Sequence, residues 1–171
     1  LINEIVFVVP EKFISTILSL EIFKSISKNI DIKVIAGGVK RNESVLNGIL
    51  STNKTSDLIC VHDAARPFVR ESLITKTVNS CKDFDGAILA IPSVDTIKIV
   101  KDGFIDKTID RNIVWMSQTP QTFHKDKLLN AYKKNSDVNV TDECTLMELS
   151  GYSIKIINGD SENFKITNKL D

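Results

Sequence analysis

The sequence has no apolar run longer than a strand, no excess of either charge sign and no G-x-G anywhere. Its longest apolar stretches, Ile5 to Pro10 and Ala87 to Pro92, fall far short of the ~18 residues that suggest a membrane span. The first residues lack the basic n-region of a signal peptide. Twenty-two Lys and Arg balance twenty-two Asp and Glu, so no global positive field exists to hold a nucleic-acid backbone or an anionic membrane. Any anionic ligand must be held by a local cluster. Three cysteines, Cys60, Cys81 and Cys144, are odd in number and form no C-x-x-C pair, which argues against a disulfide framework and for a reducing compartment. With only His62 and His124 there is no histidine cluster for a metal. Absence of the dinucleotide fingerprint argues against a hydride-transfer enzyme.

What is present is an ordinary globular composition. With 171 residues, 42% hydrophobic and 26% charged, and no repeat, low-complexity tract or linker, a single domain over residues 1–171 is expected. Ile5 to Val9 is a β-branched and aromatic run of the kind buried on both faces of a parallel sheet. Phe13 to Phe23 has near-helical apolar spacing whose phase drifts. Strands are expected at Ile32 to Ala36, Leu58 to His62 and Gly86 to Pro92, separated by helices around Val45 to Leu50 and over Glu71 to Cys81. This alternation implies right-handed crossovers in an α/β three-layer sandwich with a mixed, mostly parallel sheet. After Pro92 the rhythm changes. Thr96 to Val100 and Phe104 to Ile109 flank Lys101-Asp102-Gly103, a strong hairpin signal, so residues 93–112 read as a protruding β-arm that seeks a partner. Helices follow at Lys125 to Lys134 and Asp142 to Ser150, the second with Thr141 as N-cap and Gly151 as its stop. Ser153 to Ile157 and Asn163 to Ile166 read as final short strands.

In open α/β sheets ligands gather beyond the carboxyl ends of the strands. Gly37-Gly38-x-x-Arg41-x-x-Ser44 would let backbone approach a ligand and present a helix N-terminus to an anion; taken alone, a glycine turn with a surface arginine is the favoured explanation. His62-Asp63-Ala64-Ala65-Arg66-Pro67 follows a strand: Asp63 could hold a phosphate-bound Mg²⁺, the alanines leave room, and Arg66 could fork onto a phosphate. A structural Asp63 to Arg66 ion pair is the competing explanation. Asp95-Thr96, Arg111 and Gln118-Thr119-Pro120-Gln121 are polar residues readable singly as caps or solvated charges, and Trp115 reads as a packing anchor. Thr141-Asp142-Glu143 has an ordinary capping explanation. Lys165, in the apolar context of Asn163-Phe164-Lys165-Ile166-Thr167, suits an anionic substrate or an edge-strand gatekeeper.

In order, G-G-x-x-R-x-x-S-V-x-x-G (Gly37 to Gly48), V-H-D-A-A-R-P (Val61 to Pro67), D-T-I-K (Asp95 to Lys98), R-N-x-x-W-x-x-Q-T-P-Q-x-F (Arg111 to Phe123), T-D-E-x-x-x-x-E-x-x-G (Thr141 to Gly151) and N-F-K-I-T (Asn163 to Thr167) resemble the 2-C-methyl-D-erythritol 4-phosphate cytidylyltransferases of the non-mevalonate isoprenoid pathway. The resemblance implies a Rossmann-like nucleotidyltransferase fold. The implied reaction is Mg²⁺-dependent transfer from CTP to a sugar-alcohol phosphate with release of pyrophosphate, in a cytoplasmic homodimer joined through the β-arm, or in the plastid stroma if the source is a plant or alga. Carried over by position, Gly37, Gly38, Arg41, Ser44 and Ala64 would bind CTP. Asp63, Arg66, Thr119, Thr141 and Lys165 would face the metal-bound phosphates or the sugar phosphate, with Asp63 on the metal. Thr96 and Arg111 would reach the neighbouring subunit's sugar phosphate, and Arg111 and Lys165 would be catalytic.

The chain departs from the family in lacking its opening strand and glycine-rich loop, so an amino-terminally truncated member is expected, inactive as the fragment stands. Val39 stands where many members carry a polar residue. Two rivals remain: a CDP-ribitol or other CDP-alditol pyrophosphorylase, and an inactive nucleotide-binding or dimerisation remnant.

Overall fold

The computed structural model describes residues 2–26 and 30–168; residues 1, 27–29 and 169–171 lie outside the description, and with them the Leu1 on which the reading of the amino terminus turns. The chain divides into two compact units, Leu1–Ile59 with Phe123–Ser153, and Cys60–Thr122 with Ile154–Asp171. Strand and helix alternate as expected of an α/β protein.

In the first unit β1 (Glu4–Val9) pairs in parallel with β2 (Asp31–Ala36), in register from Glu4 with Asp31 to Val9 with Ala36. The drifting apolar phase between them is not one helix. After a 3-10 turn at Glu11–Phe13, α1 (Ile14–Ser19) stops where Leu20 turns extended, and α2 (Glu21–Ile26) restarts in a new phase. Phe23 returns to β1, its ring 4.7 Å from that of Phe7. Next comes α3 (Arg41–Ser51), with Gly48 and Ile49 buried. A Cβ on Gly48 would sit 3.0 Å from Val8 Cγ2, so glycine lets α3 approach β1 this closely. Later in the chain α5 (Lys125–Lys134) buries Leu128 and Ala131, and α6 (Glu143–Leu149) buries Cys144, Leu146 and Met147. Each fully buried leucine side chain contributes about 1.5–3 kcal/mol. The cap of α6 differs from expectation: Asp142, not Thr141, is the N-cap, its carboxylate accepting Thr145 N–H at 3.1 Å. The Asp142 carboxylate also accepts the Thr145 hydroxyl, at 2.8 Å, so one side chain holds both groups of that residue. Gly151, at φ +80°, ends the helix as expected.

A hydrogen-bonded network closes one end of this unit. Lys33 Nζ donates to the Glu4 carboxylate, to Ser51 O at 3.0 Å and to Asn53 Oδ1 at 3.2 Å, while Asn53 N–H donates to Glu4 Oε2 at 2.9 Å. Burial acts to raise the Glu4 pKa, but the Lys33 hydrogen bond and charge, the Asn53 amide and the Lys125 charge outweigh it and hold the carboxyl below its usual 4.5. A lowered folded pKa stabilises the protein fully above the unfolded value, and that contribution is lost as pH falls through the folded value. Urea midpoints of the wild type and Lys33→Met should therefore differ at neutral pH and converge well below pH 4.5. A difference that persists unchanged in acid would contradict this.

In the second unit β4 (Gly86–Pro92) pairs in parallel with β8 (Ile154–Asn158), Gly86 opposite Ile154 and Ala90 opposite Asn158. Ala87, Leu89 and Ala90 are buried, as a continuous apolar strand covered on both faces requires. α4 (Glu71–Ser80) buries Leu73 and Thr77. With β3 (Leu58–Val61) and β7 (Trp115–His124) the strands run in the order β3-β7-β4-β8. The sequence reading contains no strand at β7. Pro120 cannot donate to a ladder and the surrounding residues are polar, a pattern that ordinarily marks an edge or a loop. The reverse error falls at Asn163 to Ile166, where no strand forms. The hairpin is as expected: β5 (Lys98–Lys101) and β6 (Phe104–Thr108) are antiparallel about Asp102 and Gly103, at φ 52° and 83°. Trp115 is 39% exposed and so is no core anchor. All three cysteines are free thiols. Burial, with Cys60 nearby, pushes Cys81 up to about 11.

Candidate active site

In the first unit the glycine turn leaves β2 and enters α3. Its glycines answer to close packing: a Cβ on Gly37 would lie 2.7 Å from Ser44 Oγ, and one on Gly38 2.4 Å from Glu43 Cβ. The turn also satisfies its own amides. Gly38 N–H donates to Ser44 Oγ at 3.0 Å, and the Glu43 carboxylate accepts Val39 N–H and Lys40 N–H at 2.9 and 3.2 Å. Ser44 Oγ donates in turn to Lys40 O at 3.1 Å. The result is a rigid, pre-formed loop with Gly38 and Val39 facing solvent. Arg41 is directed inward: Nη1 and Nη2 donate to the two oxygens of Glu143 at 2.8 and 3.0 Å. Glu143 is fully buried and also accepts from Tyr132 Oη at 3.2 Å. Burial first, then the Glu143 charge and hydrogen bond, push the Tyr132 hydroxyl far above its usual range, so it stays a neutral donor. Thr141 is exposed, just before the α6 cap.

The second unit gathers charge around Asp63. Lys165 Nζ is 3.0 Å from Asp63 Oδ2, and Arg66 Nε is 3.8 Å from the same oxygen. Arg66 Nη1 donates to Asn163 O at 2.7 Å. Asp63 N–H donates to Thr119 Oγ1 at 3.0 Å. In the neutral His62 ring, Nε2 donates to Arg66 O at 3.0 Å, which leaves Nδ1 to accept the Thr119 hydroxyl at 3.1 Å. So three sequence motifs, 61–67, 118–121 and 163–167, meet here. Ala64 is exposed beside them. One carboxylate flanked by two cations cannot cage a metal by itself, and no group of three or more metal-ligating side chains occurs among the described residues. That donor set suits a Mg²⁺ held on one carboxylate and completed by phosphate oxygens.

The arm carries Thr96 and Arg111 at the surface, Arg111 Nη1 donating to Val94 O at 3.2 Å. Among the described residues, neither Thr96 nor Arg111 bonds to the Asp63 cluster. The frame around that cluster, His62, Gln118 and Asn163, escaped the sequence reading as a set. Its only signal was that each lies inside a motif singled out for a neighbour.

Parallel α/β pairing with a glycine turn after one strand and an Asp-Ala-Ala-Arg turn after another defines a protein of the nucleotidyltransferase fold class. A sequence profile described as IspD, 2-C-methyl-D-erythritol 4-phosphate cytidylyltransferase, matches residues 2–171. The chain belongs to that family. It is 38% identical over 143 residues to the 2-C-methyl-D-erythritol 4-phosphate cytidylyltransferase of Clostridioides difficile strain 630, covering 82% of this chain and 60% of the relative. With the enzyme of the same name from Prochlorococcus marinus strain MIT 9312 it shares 40% identity over 156 residues, 88% of this chain and 69% of the relative. The solved 4-diphosphocytidyl-2C-methyl-D-erythritol synthase of Anaerococcus prevotii DSM 20548 superimposes with a TM-score of 0.85 at 31% identity, over 98% of this chain and 77% of that one. The chain thus spans about 60% of the length of the first curated relatives it matches. No helix among the described residues is long and apolar enough to cross a membrane.

Proposed function

We propose that this protein serves cytidylyl transfer from CTP to 2-C-methyl-D-erythritol 4-phosphate, giving CDP-methylerythritol and pyrophosphate. The observation that carries the reading is the Asp63, Arg66 and Lys165 cluster, two cations converging on one carboxylate at a strand end, in a chain of this family. In the proposed reaction a phosphate oxygen of the alditol phosphate attacks the α-phosphorus of CTP, and the bond to the bridging oxygen of the β-phosphate breaks as pyrophosphate leaves. Such chemistry asks for positioning and charge neutralisation, not a covalent nucleophile.

Lys165 and Arg66 neutralise phosphate charge, and Lys165 stays with it as negative charge develops on the oxygens around the transferring phosphorus. Asp63 would hold Mg²⁺, which when bound supplies further neutralisation of the phosphate oxygens. Thr119, whose hydroxyl is engaged by Asp63 and His62, serves the substrate by holding the turn. In the first unit the pre-formed Gly37-Gly38 turn with Ser44 receives the nucleotide; in the second unit Ala64, exposed beside Asp63, serves CTP as well. Arg41 acts in the first unit through Glu143, and the role of Thr141 is to bind the sugar phosphate, which its exposure supports. Phe104, Ile105 and Ile113, 79, 65 and 76% exposed, support a homodimer through the β-arm, in which Thr96 and catalytic Arg111 reach the partner's substrate. Three free thiols support a cytoplasmic or stromal setting.

Calorimetric titration with methylerythritol 4-phosphate and with ribitol 5-phosphate, each with Mg²⁺ and CTP present, tests the assignment. Tighter binding of methylerythritol phosphate is expected. Preference for ribitol 5-phosphate would move the substrate to the CDP-alditol class, and binding of neither would remove the site.

A further inference from the structure

Residues 163–168 carry Lys165 but belong to no helix or strand, so no ladder sets where its ammonium lies. Lys165 nonetheless meets Asp63 at 3.0 Å. What holds the segment is Asn163, two residues upstream and completely buried. Its Nδ2 donates to Thr119 O at 2.9 Å and approaches Gln118 Oε1 at 3.4 Å. Its backbone N–H donates to Asp160 O at 3.1 Å, and its carbonyl accepts Arg66 Nη1 at 2.7 Å. Three residues on, Ile166 N–H donates to Ala65 O at 2.8 Å. Asn163 is therefore joined to strand β7, which carries Thr119, and to the turn that carries Asp63 and Arg66.

We propose that Asn163 is a positioning residue that sets Arg66 and Lys165 against Asp63. The chemistry at this position needs a side-chain donor. Asparagine offers two N–H groups to the oxygens of residues 118 and 119, whereas an ionised aspartate offers none and leucine has no polar atom. A residue kept for packing alone would not be polar at zero exposure. Asn163 Oδ1 accepts no hydrogen bond from any described residue, a cost an apolar side chain of similar size would avoid. The side-chain donor fixes the segment on residues 118 and 119, and from that anchor the Asn163 carbonyl holds Arg66 while Lys165 follows two residues on, so both cations are directed at one place.

The test uses the protein with Asn163→Ala and Asn163→Asp, the second matching the native size without the amide donor. Amide hydrogen exchange read by ¹⁵N NMR should accelerate at least about tenfold at Asp63 and Ile166, whose N–H groups close the frame, with the β4 to β8 ladder changing less than about twofold. Binding of methylerythritol 4-phosphate should weaken by about tenfold or more. Exchange that rises uniformly, or remains unchanged at Asp63 and Ile166, would overturn the proposal, and so would failure of both variants to fold, since Asn163 would then serve folding itself. The binding arm rests on the proposed substrate and the exchange arm does not. A wild-type protein that binds no alditol phosphate, with variants that still loosen locally, loses the substrate assignment and keeps the positioning role.

Discussion

Replacing Glu143 with leucine is expected to destabilise the protein by about 3 kcal/mol, because it removes the buried carboxylate of an ion pair that a phenol also donates to. The glutamate has no exposure and accepts both Arg41 guanidinium nitrogens and the Tyr132 hydroxyl. Leucine restores the apolar volume but removes the buried carboxylate that Arg41 and Tyr132 donate to. For a chain of this size the loss corresponds to a drop of roughly 6–12 °C in melting temperature, read by circular dichroism. Arg41→Met combined with Glu143→Leu should recover part of it, since the cost lies in the charge left behind more than in the absence of the pair. Arg41 is 36% exposed and can turn toward water, which keeps the expected loss near the lower end for a broken buried pair. A shift below about 2 °C for the single substitution would show that the pair contributes little.

Lys165→Met should have the opposite profile, large on ligand and small on fold. The Lys165 side chain is 42% exposed and its pair with Asp63 is reached by water, so its removal should change stability by less than about 1 kcal/mol. If Lys165 holds a substrate phosphate as proposed, the lost charge-assisted contact weakens methylerythritol 4-phosphate by roughly 10- to 100-fold. Lys165→Arg should recover only part, since a planar fork does not occupy the place of a point charge. Titration calorimetry beside a thermal melt separates the two effects. Unchanged affinity would leave Lys165 as a structural partner of Asp63 alone.

Much of this architecture can be read in the chain because its causes are local. The 3.6-residue apolar spacing from Lys125 to Lys134 and the unbroken apolar run from Gly86 to Pro92 correspond residue for residue to α5 and β4. Asp102-Gly103 takes the positive φ values that the hairpin turn requires. Local signals also misled. Gln118 to Gln121 read as caps or solvated polar residues, yet residues 115–124 form a strand between β3 and β4. The β-prone Asn163 to Ile166 forms none, and the cap of α6 falls on Asp142 where Thr141 was an equal chemical choice.

By itself the sequence determined the α/β alternation, the hairpin, the glycine turn and the residue types of the site, because short-range sterics and hydrophobic period act within a few residues. Which side chains meet was decided only by the tertiary structure. Asp63 and Thr119 are 56 positions apart, Arg66 and Asn163 are 97, and Arg41 and Glu143 are 102. No local pattern encodes such pairings. That is why Arg41 reads in sequence as a free ligand for an anion and in the structure as the partner of a buried glutamate, and why Asn163 gains its meaning only once three distant segments close around it.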